Sequence, residues 1–128
     1  MKRFLILALL LPLTACNSLE KQAYDVIVGA KAFLDAEKKM HPECAPALPM
    51  TLTPSQATLC TDLAKATAAK DVLIDAAEAY CAGPQFEAGG ACQPPEKGTP
   101  AYQQATAKLN AALAGYQQTA ADLKGVLK

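Results

Sequence analysis

The sequence predicts an all-α fold: an antiparallel three-helix bundle with two disulfide-stapled connections, preceded by a cleaved signal peptide. Three observations lead there. Apolar residues recur in alternating steps of four and three through three long segments, the spacing of one helix face. Alanine is abundant and tryptophan absent, which favours helices over sheets. Threonine-proline pairs and a glycine-proline pair punctuate the segment ends. The triplets Val26-Ile27-Val28 and Val72-Leu73-Ile74 are rich in β-branched residues, but each lies inside a longer helical pattern, so no segment is read as a strand.

The first helix is expected over about residues 18–40. Leu19, Ala23, Val26, Ala30 and Phe33 keep the four-three rhythm, with Ile27 and Leu34 widening the stripe. The second, over about 54–82, begins at Thr53-Pro54-Ser55-Gln56: a threonine N-cap, proline in the first turn and glutamine at the third helical position form a capping box. Its apolar face is Leu59, Leu63, Ala66, Leu73, Ala77 and Tyr80, interrupted by Lys70. Ala82-Gly83-Pro84 ends it, with glycine suited to the left-handed cap and proline blocking continuation.

The third helix, about 100–127, starts at Thr99-Pro100 and carries the clearest seam. Tyr102, Thr106, Leu109, Leu113, Tyr116, Ala120, Leu123 and Leu127 follow one another without a break, as in a heptad facing one partner surface. Alanine-rich faces let the helix axes approach closely, while leucine, phenylalanine and tyrosine fill the seam.

Five cysteines are present: Cys16, Cys44, Cys60, Cys81 and Cys92. The last four allow three pairings. Cys60 and Cys81 lie on one helix and would be ~31 Å apart at 1.5 Å per residue, against the ~7 Å limit for a disulfide. The crossed pairing would have to bridge both ends of the bundle at once. Cys44–Cys60 and Cys81–Cys92 remain, each tying a long connection back to the second helix.

The amino terminus has a different character. Met1-Lys2-Arg3 is basic, and residues 4–13 form an apolar run. It is too short to span a bilayer, which takes ~20 residues, and has the size and flanks of a secretory signal. The following Leu13-Thr14-Ala15-Cys16 resembles the lipobox of bacterial lipoprotein precursors. That resemblance covers about the first 18 residues. It implies removal of residues 1–15, a diacylglyceryl thioether on Cys16 and acylation of the new amino terminus. Asn17, where that family often carries aspartate for inner-membrane retention, implies delivery to the outer membrane. A lipid-anchored helical domain, 16–128, is left.

Loss of Lys2 and Arg3 leaves 10 basic and 12 acidic side chains. That balance offers no basic patch for nucleic acid and no acidic block typical of a disordered tail. The cysteine gaps do not match the close pairs of zinc sites or a C-x-x-C redox centre, so neither metal nor other cofactor is expected. His41 is the only histidine and is expected as an exposed loop residue near the negative end of the first helix. Asp71, Asp75 and Glu78 share one helix face and are expected to be solvated; Asp35 and Glu37 form a second acidic pair. Gly89-Gly90 lacks the lysine pattern of a phosphate loop. Tyr102 and Tyr116 are expected in the core with their hydroxyls near its rim.

No catalytic set emerges, and the chain is expected to act as a non-enzymatic, membrane-tethered periplasmic module. Its partners are membrane lipid through Cys16 and an envelope protein. One alternative is a small inhibitor or exclusion factor presenting the 42–54 loop; another is a small-ligand carrier. Candidate interaction residues are Pro46, Leu48 and Pro49 in the first connection and Phe86 in the second. Phe86 is read first as a plug on the end of the bundle. With almost no linker after Cys16, the start of the first helix should lie at the bilayer, with Phe86 proximal and the 42–54 loop distal.

Overall fold

Residues 18–45, 51–82 and 92–127 are described by the computed structural model. Cys16, Pro46, Leu48, Pro49, Phe86 and the 83–84 stop signal lie outside them. The described residues form three α-helices, α1 (Leu19–Met40), α2 (Pro54–Tyr80) and α3 (Pro100–Val126), with a 3₁₀ turn at Pro42–Cys44 and no strand. No described helix is long and apolar enough to cross a membrane.

Each helix starts where its capping chemistry dictates. Ser18 accepts a hydrogen bond from the Lys21 amide at 3.3 Å. Thr53 Oγ1 accepts from the Gln56 amide at 3.3 Å, and Gln56 Oε1 accepts from the Thr53 amide at 2.9 Å, completing the capping box. Thr99 caps α3 by accepting from the Tyr102 amide at 3.2 Å, behind Pro100 in the first turn. Helix α2 stops two residues earlier than its pattern extends. Cys81 is its C-cap, and the left-handed position expected of Gly83 falls on Ala82, at φ 61°.

Helix α2 is the central element, packing most extensively on α3 and next on α1, while α1 and α3 touch little. Its buried residues are the six that the periodicity marks, Leu59, Leu63, Ala66, Leu73, Ala77 and Tyr80. Along α3 the seam is buried from Leu109 to Leu123, joined by Ala112, and half-buried at its ends, Tyr102, Thr106 and Leu127. In α1 the buried stripe is Ala23, Ile27, Ala30 and Leu34, continued by Glu37. Leu19, Val26 and Phe33, read as part of its centre, lie half-buried on the margin. The reason is the unequal packing: α1 aims its stripe at α2, so the side turned towards α3 stays partly open. Phe33 there packs under the Lys124 ammonium, which lies 5.5 Å from its ring centroid.

Both disulfides form as the helix geometry requires, Cys44–Cys60 and Cys81–Cys92. The second continues into a backbone hydrogen bond, the Gln93 amide donating to the Cys81 carbonyl at 3.3 Å.

Tyr80 closes the core at the end of α2, 6.3 Å from the Tyr102 ring. It is 3% exposed, and burial, a hydrogen bond with Tyr102 and the negative charge of Glu20 push its phenol up to about 12. Burial pushes Tyr116 up as well. A phenol whose folded pKa exceeds its unfolded value of ~10 stabilises the fold fully below that pH. The contribution is lost as pH rises from there through the folded value. Alkaline unfolding followed by circular dichroism is expected to begin above pH ~10, with phenolate absorbance rising in step. Tyr80→Phe should move the midpoint to higher pH; a midpoint that stays in place would show that Tyr80 ionises without cost.

Candidate functional site

The chemistry-bearing side chains that the fold gathers lie where α1 ends. Helix α1 terminates at Met40, and His41 caps it, its amide donating to the Glu37 carbonyl at 2.9 Å. Pro42 then forces the chain out of the helix and into the 3₁₀ turn. This folds Glu43 back, so that the imidazole stands between two carboxylates. His41 Nδ1 lies 3.0 Å from Glu43 Oε1, and Nε2 lies 3.5 Å from Glu37 Oε2. The first distance is that of a hydrogen bond; the second is long for one.

The single histidine is therefore not the exposed loop residue expected, since its side chain keeps only 24% exposure. The cause is tertiary: Glu37 sits on the buried stripe of α1 and is itself only 8% exposed. Its own backbone amide and the His41 side chain hold the Glu43 carboxyl below the usual carboxylate range. Glu37 was read from sequence only as half of an acidic pair with Asp35. Its position three residues after Leu34 continues the four-three rhythm, and that signal marks it as facing inward.

Beside this corner a groove of about 510 Å³ opens between α1 and α2, floored by the Cys44–Cys60 bridge. Lys38 of α1 and its cap residue His41 border it on one side, and Leu63, Thr67 and Asp71 of α2 on the other. The Thr67 hydroxyl donates to the Leu63 carbonyl at 2.8 Å, the usual satisfaction of a helical threonine. The walls are largely apolar, with one ammonium and one carboxylate at the mouth. Such a groove can bury an apolar side chain and anchor flanking polar groups, the pattern of a peptide-binding surface.

Of the other sequence candidates, Asp71 and Asp75 are exposed and Glu78 half-exposed, in keeping with a solvated face. The Asp71 side chain stands 3.2 Å from the Lys70 ammonium. Among the described residues no group of three histidine, cysteine or acidic side chains converges for a metal ion. Tyr116 is buried and Tyr102 half-buried at the rim, as expected. Of the candidate interaction residues, Pro46, Leu48 and Pro49 follow directly on Ala45, which lines the groove; they and Phe86 lie outside the described residues. The groove itself was missed, because its two walls come from helices whose relative rotation no local pattern encodes. Comparison with protein-family models, with curated proteins and with solved structures gives no match for this chain.

Proposed function

We propose that the chain is a bacterial lipoprotein, anchored by acylated Cys16 to the periplasmic face of the outer membrane. It acts there by binding an envelope protein and not by catalysis. The observation that carries this reading is Leu13-Thr14-Ala15-Cys16, placed directly after a basic start and a ten-residue apolar run. The disulfides support it in two ways. They occupy Cys44, Cys60, Cys81 and Cys92, which leaves Cys16 as the odd cysteine. Paired bridges in a small domain also belong to an oxidising compartment such as the periplasm.

The mature domain is then an antiparallel bundle. Tyr80 at the end of α2 meets Tyr102 at the start of α3 and feels Glu20 at the start of α1. Phe33 near the end of α1 meets Lys124 near the end of α3. In this arrangement the Tyr80 end adjoins the anchor, and the groove beside Cys44–Cys60 faces away from the bilayer. Ala45, at the start of the 42–54 connection, borders that groove, and that connection, which carries Pro46, Leu48 and Pro49 in sequence, is the contact surface for a periplasmic partner. The Cys81–Cys92 bridge lies at the membrane end.

Lipid attachment is durable when two or more chains are present, since each buried CH₂ contributes ~0.8 kcal/mol. Mass spectrometry of the membrane-extracted protein is expected to find an amino-terminal peptide that begins at acylated Cys16. The Cys16→Ser variant should lose both the lipid mass and the cleavage after Ala15. An unmodified Cys16 thiol, or the same amino terminus in both proteins, refutes the anchor. Photocrosslinking from position 47 is expected to capture protein, and from position 86 lipid; the reverse pattern refutes the orientation.

A further inference from the structure

The α2–α3 pair has a second long depression, on the side that α1 does not cover. It is a groove of about 670 Å³, bordered by Val72, Asp75 and Ala76 of α2 and by Lys108, Gly115 and Tyr116 of α3. Val72 is 58% exposed in its wall, a β-branched apolar side chain turned to water. Asp75 and Lys108 border the same groove from opposite helices, yet among the described residues neither makes an ion pair. One rim thus carries an unpaired carboxylate, the other an unpaired ammonium, with an apolar floor between them.

We propose that this face is the interface of a homodimer, occupied by the same face of a second copy. A two-fold axis running along the groove sets α2 of one copy against α3 of the other. It brings each Asp75 rim onto a Lys108 rim, so that the contact is self-complementary and closes. The two charge pairs flank Val72 and the small residues of the floor, which let the helices approach closely. A near-neutral chain, 10 basic against 12 acidic side chains after residue 15, has no single-sign field to oppose pairing. The same axis leaves both copies pointing the same way along the bundle, as two chains anchored in one bilayer must. That last point rests on the lipoprotein reading; the charge argument does not.

Charge exchange tests this on the full chain extracted in mild detergent, with the oligomeric state read by density-matched sedimentation. Wild type is expected to be a dimer. Asp75→Lys and Lys108→Asp, each alone, replace two attractions by two repulsions and should weaken the dimer roughly tenfold. An equimolar mixture of the two variants restores both pairs in a heterodimer, and association should return. Gly115→Leu is a second probe: the first side-chain atom added there meets nothing within 4 Å. Leucine also favours the helix, so circular dichroism should be unchanged while the dimer is lost.

A monomeric wild type, single variants that dimerise as wild type does, a mixture that stays monomeric, or a Gly115→Leu dimer would each overturn the proposal. A wild-type monomer that captured a helical partner would assign the groove to another protein and overturn it too. The acylation of Cys16 is read by mass in the same sample, so failure of the anchor and failure of the dimer are told apart.

Discussion

Replacing Cys81 and Cys92 together by alanine is expected to lower the unfolding free energy by about 3 kcal/mol. The bridge closes a loop of 11 residues, and chain-entropy arguments give that magnitude. Cys81 is 2% exposed, caps α2 and accepts the Gln93 amide through its carbonyl, so the bridge also holds the segment at 92 against the end of the core. Alanine at both positions avoids burying a serine hydroxyl. The thermal midpoint should fall by roughly 10–20 °C for a domain of this size. Reduction of the wild-type chain should reproduce much of the loss. A double variant that melts within a degree or two of wild type would show that the loop is ordered without its bridge. The Cys44–Cys60 pair, closing 16 residues, should weigh about as much, but its loss should in addition loosen the groove and the His41 corner built on it.

Leu73→Ala should be as damaging. Leu73 is fully buried on α2, the helix that packs on both others, and no exposed edge allows the site to collapse into the space left behind. Losses of 2–5 kcal/mol are usual for such truncations, against a total stability of about 5–15 kcal/mol for a domain. Its neighbour Val72 provides the contrast. At 58% exposure, Val72→Ala should change the stability of the single chain by no more than about 0.5 kcal/mol. Denaturant unfolding at a concentration low enough to keep the chain monomeric measures both. Equal effects at the two positions would mean that α2 is rotated about its axis relative to the packing described, one residue amounting to about 100°.

These two residues mark the division between local and tertiary information. Thr53, Gln56, Thr99 and Pro100 act within one turn of the chain, so the helix starts follow from residue chemistry alone. The spacing along α2 and α3 gives their buried faces because each faces a broad surface over its whole length. The disulfide pairing was also legible, since helical rise keeps Cys60 and Cys81 apart whatever the rest of the fold does. The 3.6-residue period, however, sets the angle between side chains on one helix and not the direction in which its neighbours lie.

For α1 that distinction mattered. Ala23, Val26, Ile27, Ala30, Phe33 and Leu34 make a stripe wide enough to serve two neighbours. Which half is buried depended on α1 lying against α2 and standing off from α3. The same placement turned Glu37 inward, so the imidazole that the local turn holds between Glu37 and Glu43 is half-buried, where charge and sequence position alone put it in solvent. It also left one side of the α2–α3 pair uncovered, with Val72, Asp75 and Lys108 around it. Residue type and periodicity therefore settled which segments are helical, where they begin and which cysteines pair, because those are decided over a few ångströms of one chain. The two grooves came only with the third dimension, since each is a property of the distance and rotation between helices; the histidine corner joins residues of one helix end, and tertiary packing added only its burial.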